Sequence, residues 1–407
     1  MGRKVKTTSL FQGIQVRMTF GVVDRKILGP EPVPTLPTLA PGSDPDAKGG
    51  IRWERSIAAH LVRASNQRPA RRIPPLYDQF HNAVVAFNKE LDIHGLCLLP
   101  GGIHPWLDPR TEIHPTVDDP LFPVLDKVVP LRTHGIGNGH DVRLSIAFNG
   151  DPDLARLFAA VRILLPIIPA ISAGSPWSMG REPGTMSQRV GSWVDLTFPG
   201  ATKPGALVPE GVYTEDDHIR TIEAPMAQEL ARRNALAVLG NEWTDPRGAV
   251  VQFTPGWVHI RLVDTQESVA ASLAVCEMIV AVLRALVKGR WVSTYLQRAW
   301  HEQDLTSLLH TVIQQADAAV IMDRNYPMMF GLLDQDGITA GKLWQHLFVD
   351  LYADLSETAQ LHMAHILEHG CLARRILART GMKPERGTLV RVYGRLADGI
   401  TAIEPFQ

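Results

Sequence analysis

The 407-residue chain is 45% hydrophobic and 20% charged, a globular composition with length for one large domain or two average ones. Its 41 Lys and Arg against 42 Asp and Glu leave a formal net charge of -1, so no overall electrostatic drive toward nucleic acid or an anionic membrane exists. Three distant cysteines (Cys97, Cys276, Cys371) with no C-x-x-C spacing exclude a disulfide scaffold or a cysteine-based zinc site, and the expected compartment is cytoplasmic.

Residues 11–23 alternate loosely between apolar and polar and are rich in β-branched side chains, which predicts a strand. Residues 28–50 carry prolines at 30, 32, 34, 37, 41 and 45 and end in Gly49-Gly50, a run suited only to a loop. Over 53–63 periodicity does not decide between strand and helix. An amphipathic helix is expected over 75–92 and a short strand over 94–99, broken by the turn Gly101-Gly102-Ile103-His104-Pro105. Residues 142–148 alternate as a strand; Asp151 as N-cap and Pro152 at the first helical position then predict a helix from 153 to about 165.

The stretch 171–192 is expected to be loop-rich, and 250–253 and 257–263 to be paired strands around Thr254-Pro255-Gly256. From Glu267 the chain reads as mainly helical, through 289 and then over 299–315, 341–355, 356–368, 372–379 and 386–398. Two apolar stretches, 154–171 and 268–287, raise the question of a membrane. Arg156, Arg162, Pro166 and Pro169 in the first, and Glu277 and Arg284 in the second, argue for buried helices, since a central charge costs roughly 3 kcal/mol on insertion. The basic start is followed by no apolar run of signal-peptide length before Gly13. Without a repeat or a clean linker, one domain over 1–407 is expected, an α+β body with a mainly helical part from 267.

Local motifs are few. His365 and His369 stand four apart on one helix face, a spacing able to chelate zinc, but no third ligand is fixed by the sequence and a packing or solvated cluster is expected. His218, after Glu215-Asp216-Asp217, and the pair Asp118-Asp119 read as exposed loop residues. Gly137-Asn138-Gly139 is too short for a nucleotide-binding loop, and no G-x-S-x-G elbow or Walker-type lysine supports a serine hydrolase or P-loop enzyme. Cys97 and Cys276 sit in apolar surroundings as core residues rather than nucleophiles.

Several ordered fragments carry a resemblance. Leu99-Pro100-Gly101-Gly102-Ile103-His104-Pro105-Trp106, then Ala170-Ile171-Ser172-Ala173-Gly174-Ser175-Pro176-Trp177 with Gly180 and Arg189, are followed by Trp243-Thr244-Asp245-Pro246-Arg247-Gly248. Val258-His259-Ile260-Arg261-Leu262-Val263-Asp264-Thr265-Gln266-Glu267 and Gly370-Cys371-Leu372-Ala373-Arg374 complete the series. Together they resemble glutamate–cysteine ligase family 2, the carboxylate–amine ligases. The resemblance implies a glutamine-synthetase-like α+β fold: a curved, mostly antiparallel sheet backed by helices, with a helical C-terminal third. It also implies an ancestral reaction in which ATP phosphorylates a γ-carboxylate and an amine attacks the acyl phosphate. Mg²⁺ held by glutamates of the concave sheet face would neutralise the polyanions.

This chain departs from that pattern where the acids belong. The family's opening G-[IV]-E-x-E corresponds to Gly13-Ile14-Gln15-Val16-Arg17, its next acidic position to Arg63, a strand imidazole to Arg143, and the glutamate of "IEIR" to His259, while Arg261 remains. The site would be about seven charges more positive than the family's. Two cations ~4 Å apart repel by about 4 kcal/mol at an effective dielectric of ~20, and a divalent ion would meet that repulsion several times.

The expectation is therefore a degenerate homologue without a metal site. Its cleft, lined by Gln15, Arg17, Arg63, His104, Arg143, His259 and Arg261, would bind a small anion or amino acid through guanidinium forks. Such a protein would act as a binding or partner subunit, beside an active ligase or as a homo-oligomer, or as a scaffold with a vestigial cleft. Contacts with nucleic acid or membrane are not expected. The alternatives are an active ligase with ATP and Mg²⁺ in a rearranged site, or an unrelated α+β enzyme.

Overall fold

The structure, a computed structural model, describes residues 10–34, 50–116, 122–182, 184–194, 196, 207–333 and 337–406. Asp118-Asp119 and residues 35–49 of the proline-rich loop lie outside them.

Seven strands form one antiparallel sheet: β1 (Ile14–Asp24), β2 (Ile51–Arg55), β3 (Leu61–Asn66), β4 (Leu96–Leu99), β5 (Asp141–Ala147), β6 (Ala249–Gln252) and β7 (Trp257–Asp264). Their order is β2-β3-β1-β5-β7-β6, with β4 also paired to β1. Strand alternation divides the sheet into two faces. Ile14, Val16, Met18 and Phe20 of β1 are fully buried in the main core, with Val62 and Ala64 of β3 and Leu144 and Ile146 of β5. Helices Leu76–Ile93, Gly150–Leu164 and Val269–Val287 pack into that core, which extends into the helical C-terminal region. The intervening residues Gln15, Arg17 and Thr19 point to the other face.

The undecided stretch 53–63 belongs to a hairpin, β2 against β3, where Trp53 stacks on Phe87 at a 4.2 Å centroid separation. Its strands are five and six residues long, too short for their period to decide the assignment in sequence. The helix expected from 153 starts three residues earlier, at Gly150, with Asn149 at the N-cap position. Asp151 thus lies in the first turn rather than capping it, and its carboxylate accepts from the backbone N–H of Glu215. The loop-rich stretch 171–192 is bounded by short helices, Pro169–Ser172 and Gln188–Val194.

Val269–Val287 is the one helix among the described residues long and apolar enough to cross a membrane, and it is mostly buried within the fold. Ser268 caps its start, accepting from the N–H of Ala271. Glu277 on this helix accepts from Tyr77 Oη and from both N–H and Oγ of Ser356, clipping the sheet-backing helices to the helical C-terminal region. That region continues through Glu302–Gln315, Ala340–Leu351, Glu357–His369, Leu372–Thr380 and Arg386–Asp398.

Candidate functional site: an arginine cage on the polar sheet face

Strand register aligns the polar face in rows. Arg17 of β1 is directly opposite Ser65 of β3 and Arg143 of β5, and Thr19 is opposite Arg63. Gln15 is opposite Ser145, which is opposite His259 of β7. A register shift between Val142 and Leu144 interrupts the β5–β7 pairing beside Arg143, the kind of irregularity that re-aims a side chain. Four residues scattered over 245 positions of sequence, Arg17, Arg63, Arg143 and Arg261, are thereby brought to one region.

The group that gathers them is Glu242, which the sequence reading passed over. Arg17 Nη1 lies 2.8 Å from its Oε2 and Arg63 Nη2 lies 2.8 Å from its Oε1, while Arg143 Nη2 also contacts Oε2. Glu242 belongs to the irregular segment between the short helical turn Leu236–Val238 and β6, where no periodicity marks a residue as inward-facing. Only its place immediately before the Trp243-Thr244-Asp245 fragment hinted at a role.

Burial raises the Glu242 pKa, but Arg143, Arg17, Arg63 and Arg261 together drive it well below the usual carboxylate range. The arginines differ among themselves. Burial, then Arg17, push the Arg143 pKa down to about 9, with Glu242 opposing and Arg261 adding to the repulsion. Burial likewise lowers Arg17, yet Glu242 and Asp141 more than offset it and its pKa ends raised. Asp141, which accepts from Thr19 Oγ1 at 2.7 Å, is the second negative charge under the cage.

A cavity of about 710 Å³ opens beside the cage. Arg17, Arg143, Arg261, Glu242 and His259 line it together with Ile222, Met226, Leu239 and Phe253. Arg261 donates to the carbonyl of Asp245 at 2.7 Å and sits 4.8 Å over the ring of Trp193. His259 is held between Ser145 Oγ at 2.7 Å and Gln252 Oε1 at 3.1 Å. Burial, followed by Arg143 and Arg17, lowers its pKa to about 3, so the ring is neutral at pH 7. Gln15 donates instead to the carbonyl of Asn66 and does not line the cavity.

Arg63 joins the cage through Glu242 but does not border the cavity. Two more expected positions differ. His104 is not in the cleft: it is fully buried, with Nε2 2.7 Å from the Leu28 carbonyl and Nδ1 accepting from the N–H of Leu107. Its imidazole ties the glycine-rich turn to its surroundings by satisfying the backbone carbonyl of Leu28 and the N–H of Leu107. His218 is not exposed: it is buried at the end of the short helix Glu215–His218, edge-on to Phe253 and 3.4 Å from Glu223. Asn138, from the Gly-Asn-Gly run, joins the backbone of His104 to the ring of His134. His365 and His369 pack with ring centroids 4.5 Å apart and planes tilted by 54°, with His365 Nε2 at the Phe406 carbonyl.

Beneath the cage, Arg189 and Asp264 form a fully buried pair at 2.6 Å. Asp264 also accepts from Gly174 N–H at 2.8 Å and Ser175 Oγ at 2.9 Å, so the second and fourth of the fragments meet at one carboxylate.

The family model for glutamate–cysteine ligase family 2 matches residues 60–393. The chain belongs to glutamate–cysteine ligase family 2. Over 261 residues it is also 26% identical to an uncharacterized protein of Archaeoglobus fulgidus, an alignment spanning 61% of this chain and 67% of that protein. Family membership suggests ATP-dependent carboxylate–amine ligase-like chemistry. β1 precedes the matched span, and its place in the site rests on its pairing with β3 and β5.

The family resemblance implies a divalent cation at this face, so the donor set matters. A hard cation requires several oxygen ligands. The cage offers Glu242, whose two oxygens already face three guanidiniums, and Asp141, already engaged by Thr19 and the neighbouring arginines; Glu215, Glu223 and Asp245 also line the cavity, the last paired with Arg247. Among the described residues no group of three His, Cys, Asp or Glu side chains is arranged for a metal ion. The side chains of the cage do not fit Mg²⁺ at this position.

Proposed function

We propose that this member of the family uses its ancestral cleft to bind a small anion, without Mg-dependent phosphoryl transfer, and acts as a non-catalytic binding or partner protein. The observation that carries this reading is the convergence of Arg17, Arg63 and Arg143 on a single carboxylate at positions where the family resemblance puts metal-ligating acids and an imidazole. Arginine stays charged and presents a planar donor fork, so the cage recognises carboxylate or phosphate oxygens without a metal. The ligand is a small anion or an amino acid, and an active ligase or a second copy of this chain is the partner class.

The second reading, an active ATP-dependent ligase with a rearranged site, is favoured by the breadth of the family match and by Arg261, which still lines the cavity. A thermal-shift series separates the two. Stabilisation by phosphate or a carboxylate alone, unchanged by Mg²⁺ and lost in Arg143→Met, is the expected result. Stabilisation by ATP that requires Mg²⁺, with phosphate release in the presence of amino acids, would replace the proposal by the ligase reading.

A further inference from the structure

Glu242 and the ligand of the preceding reading compete for the same donors. Its oxygens take Arg17 and Arg143 on one side and Arg63 on the other, which is how a bound carboxylate would be seated. The fit is incomplete. Nε and Nη2 of Arg17 and the Nε atoms of Arg63 and Arg143 are buried with no hydrogen-bond partner among the described residues. A carboxylate has two oxygens and one charge; a phosphate group has three terminal oxygens and a charge of about -1.5 to -2 at pH 7. The seat has more donors and more positive charge than its resident carboxylate uses.

The segment leading into Glu242 is the loosely held part of this turn, whereas Trp243 and Thr244 after it are buried, Trp243 in the main core. Leu239 and Gly240 are exposed, Gly240 adopts φ +77, and an added Cβ there would meet nothing within 4 Å. Asn241 folds the following turn on itself, its carbonyl accepting from Thr244 N–H and Oγ1 and its Oδ1 from Trp243 N–H. The turn thus carries its own hydrogen bonds. Among the described residues, this turn meets the cage arginines through the three ion pairs of Glu242 and through the Arg63 guanidinium 5.3 Å over the Trp243 ring. Leu239, Gly240, Asn241 and Glu242 all border the cavity, so an anion arriving there meets the turn directly.

We propose that Glu242 is a tethered stand-in for the ligand, occupying the arginine seat until a phosphate group displaces it and residues 239–242 swing away, with Trp243 and Thr244 as the buried anchor. The turn is a gate, and its carboxylate sets the phosphate concentration at which the cleft fills. This inference rests on the anion-binding reading and adds to it the ligand class and the competitor. A site closed by its own side chain binds with an affinity reduced by the fraction that is open. Replacing the competitor removes that reduction.

Calorimetric titration of inorganic phosphate and of succinate into the wild-type chain and Glu242→Gln tests this. Phosphate is expected to bind Glu242→Gln at least about tenfold more tightly than wild type. Tryptophan emission of the wild type is expected to shift with phosphate, and Trp243→Phe to lack that shift. Equal or weaker phosphate affinity in Glu242→Gln overturns the gate and leaves the anion-binding reading standing. Succinate binding without phosphate binding overturns the ligand class. Failure of every anion to bind either folded protein sinks the underlying reading itself. Should Glu242→Gln not fold, Glu242→Asp, with a shorter reach, is expected to show an intermediate gain, and no gain there overturns the gate equally.

Discussion

Arg17 and Arg143 touch the same carboxylate oxygen from neighbouring strands, yet their surroundings differ in sign. Glu242 and Asp141 act on both, but at Arg17 they outweigh burial, whereas at Arg143 burial and repulsion from Arg17 prevail. Removing one partner of a buried ion pair costs about 3–5 kcal/mol when it strands a charge, but replacing a poorly compensated charge with an apolar side chain is often neutral or stabilising. Arg17→Met is therefore expected to lower the unfolding free energy by about 3 kcal/mol. Arg143→Met is expected to change it by no more than about 1 kcal/mol, because Glu242 keeps Arg17 and Arg63. Urea unfolding of the two variants decides the matter: equal losses would mean that the cage is a balanced network with no surplus charge. The same asymmetry is why Arg143→Met suits the binding experiment, where anion affinity must fall while the fold persists.

Between elements, the fragments that revealed the family are those that hold strands, turns and helices together. Gly102 packs so closely that an added Cβ would lie 2.4 Å from Asp264 Oδ2 and 2.7 Å from Ser175 Oγ. Glu267, at the end of the β7 run, forms a buried bidentate pair with Arg375 of the Leu372–Thr380 helix at 2.7 and 3.1 Å. Gly102→Ala must displace the Asp264 carboxylate from Arg189, Gly174 and Ser175. We expect a loss of about 3 kcal/mol, as for a disrupted buried ion pair, and a loss within about 0.5 kcal/mol would show that the turn yields instead. Such residues are legible because their backbone and charge constraints leave little choice of side chain. The sheet and long helices were legible through their periods, as in β1 and Leu76–Ile93. The cage was legible only in part: Arg17, Arg143 and His259 stand out against flanking residues that match a pattern, but Glu242 lies on an irregular turn whose inward face exists only once the sheet has formed. His104 was misplaced for the converse reason, since a histidine in a glycine-rich turn looks the same in sequence whether it serves a ligand or the turn's own backbone.

For the molecule as a whole, the buried histidines set a boundary on the acid side. Burial is the leading cause that lowers His60 and His259 to about 3, and His104, His134 and His218 to about 4, and it holds His140 well below its ordinary value. His60 Nε2 and both ring nitrogens of His140 have no hydrogen-bond partner among the described residues, so a proton added there would find no acceptor. The unfolded chain takes up these protons near pH 6.5, while the folded chain refuses them until about pH 3–4. Their contribution to stability is thus fully present above about pH 6.5 and is lost progressively as the pH falls toward the folded values, each histidine contributing about 1.4 kcal/mol per pH unit in that window. Glu242 and Asp141, whose pKa values are also lowered, add their losses only below about pH 4, where unfolded carboxylates protonate. Several sites acting together exceed the stability of an ordinary domain, about 5–15 kcal/mol, before the carboxylates are reached. Urea midpoints measured from pH 8 downward are expected to stay level to about pH 6.5 and then fall steeply, with loss of the fold above about pH 4. A midpoint unchanged at about pH 5 would mean that the imidazoles find acceptors on protonation, and the acid limit would then pass to the cage carboxylates.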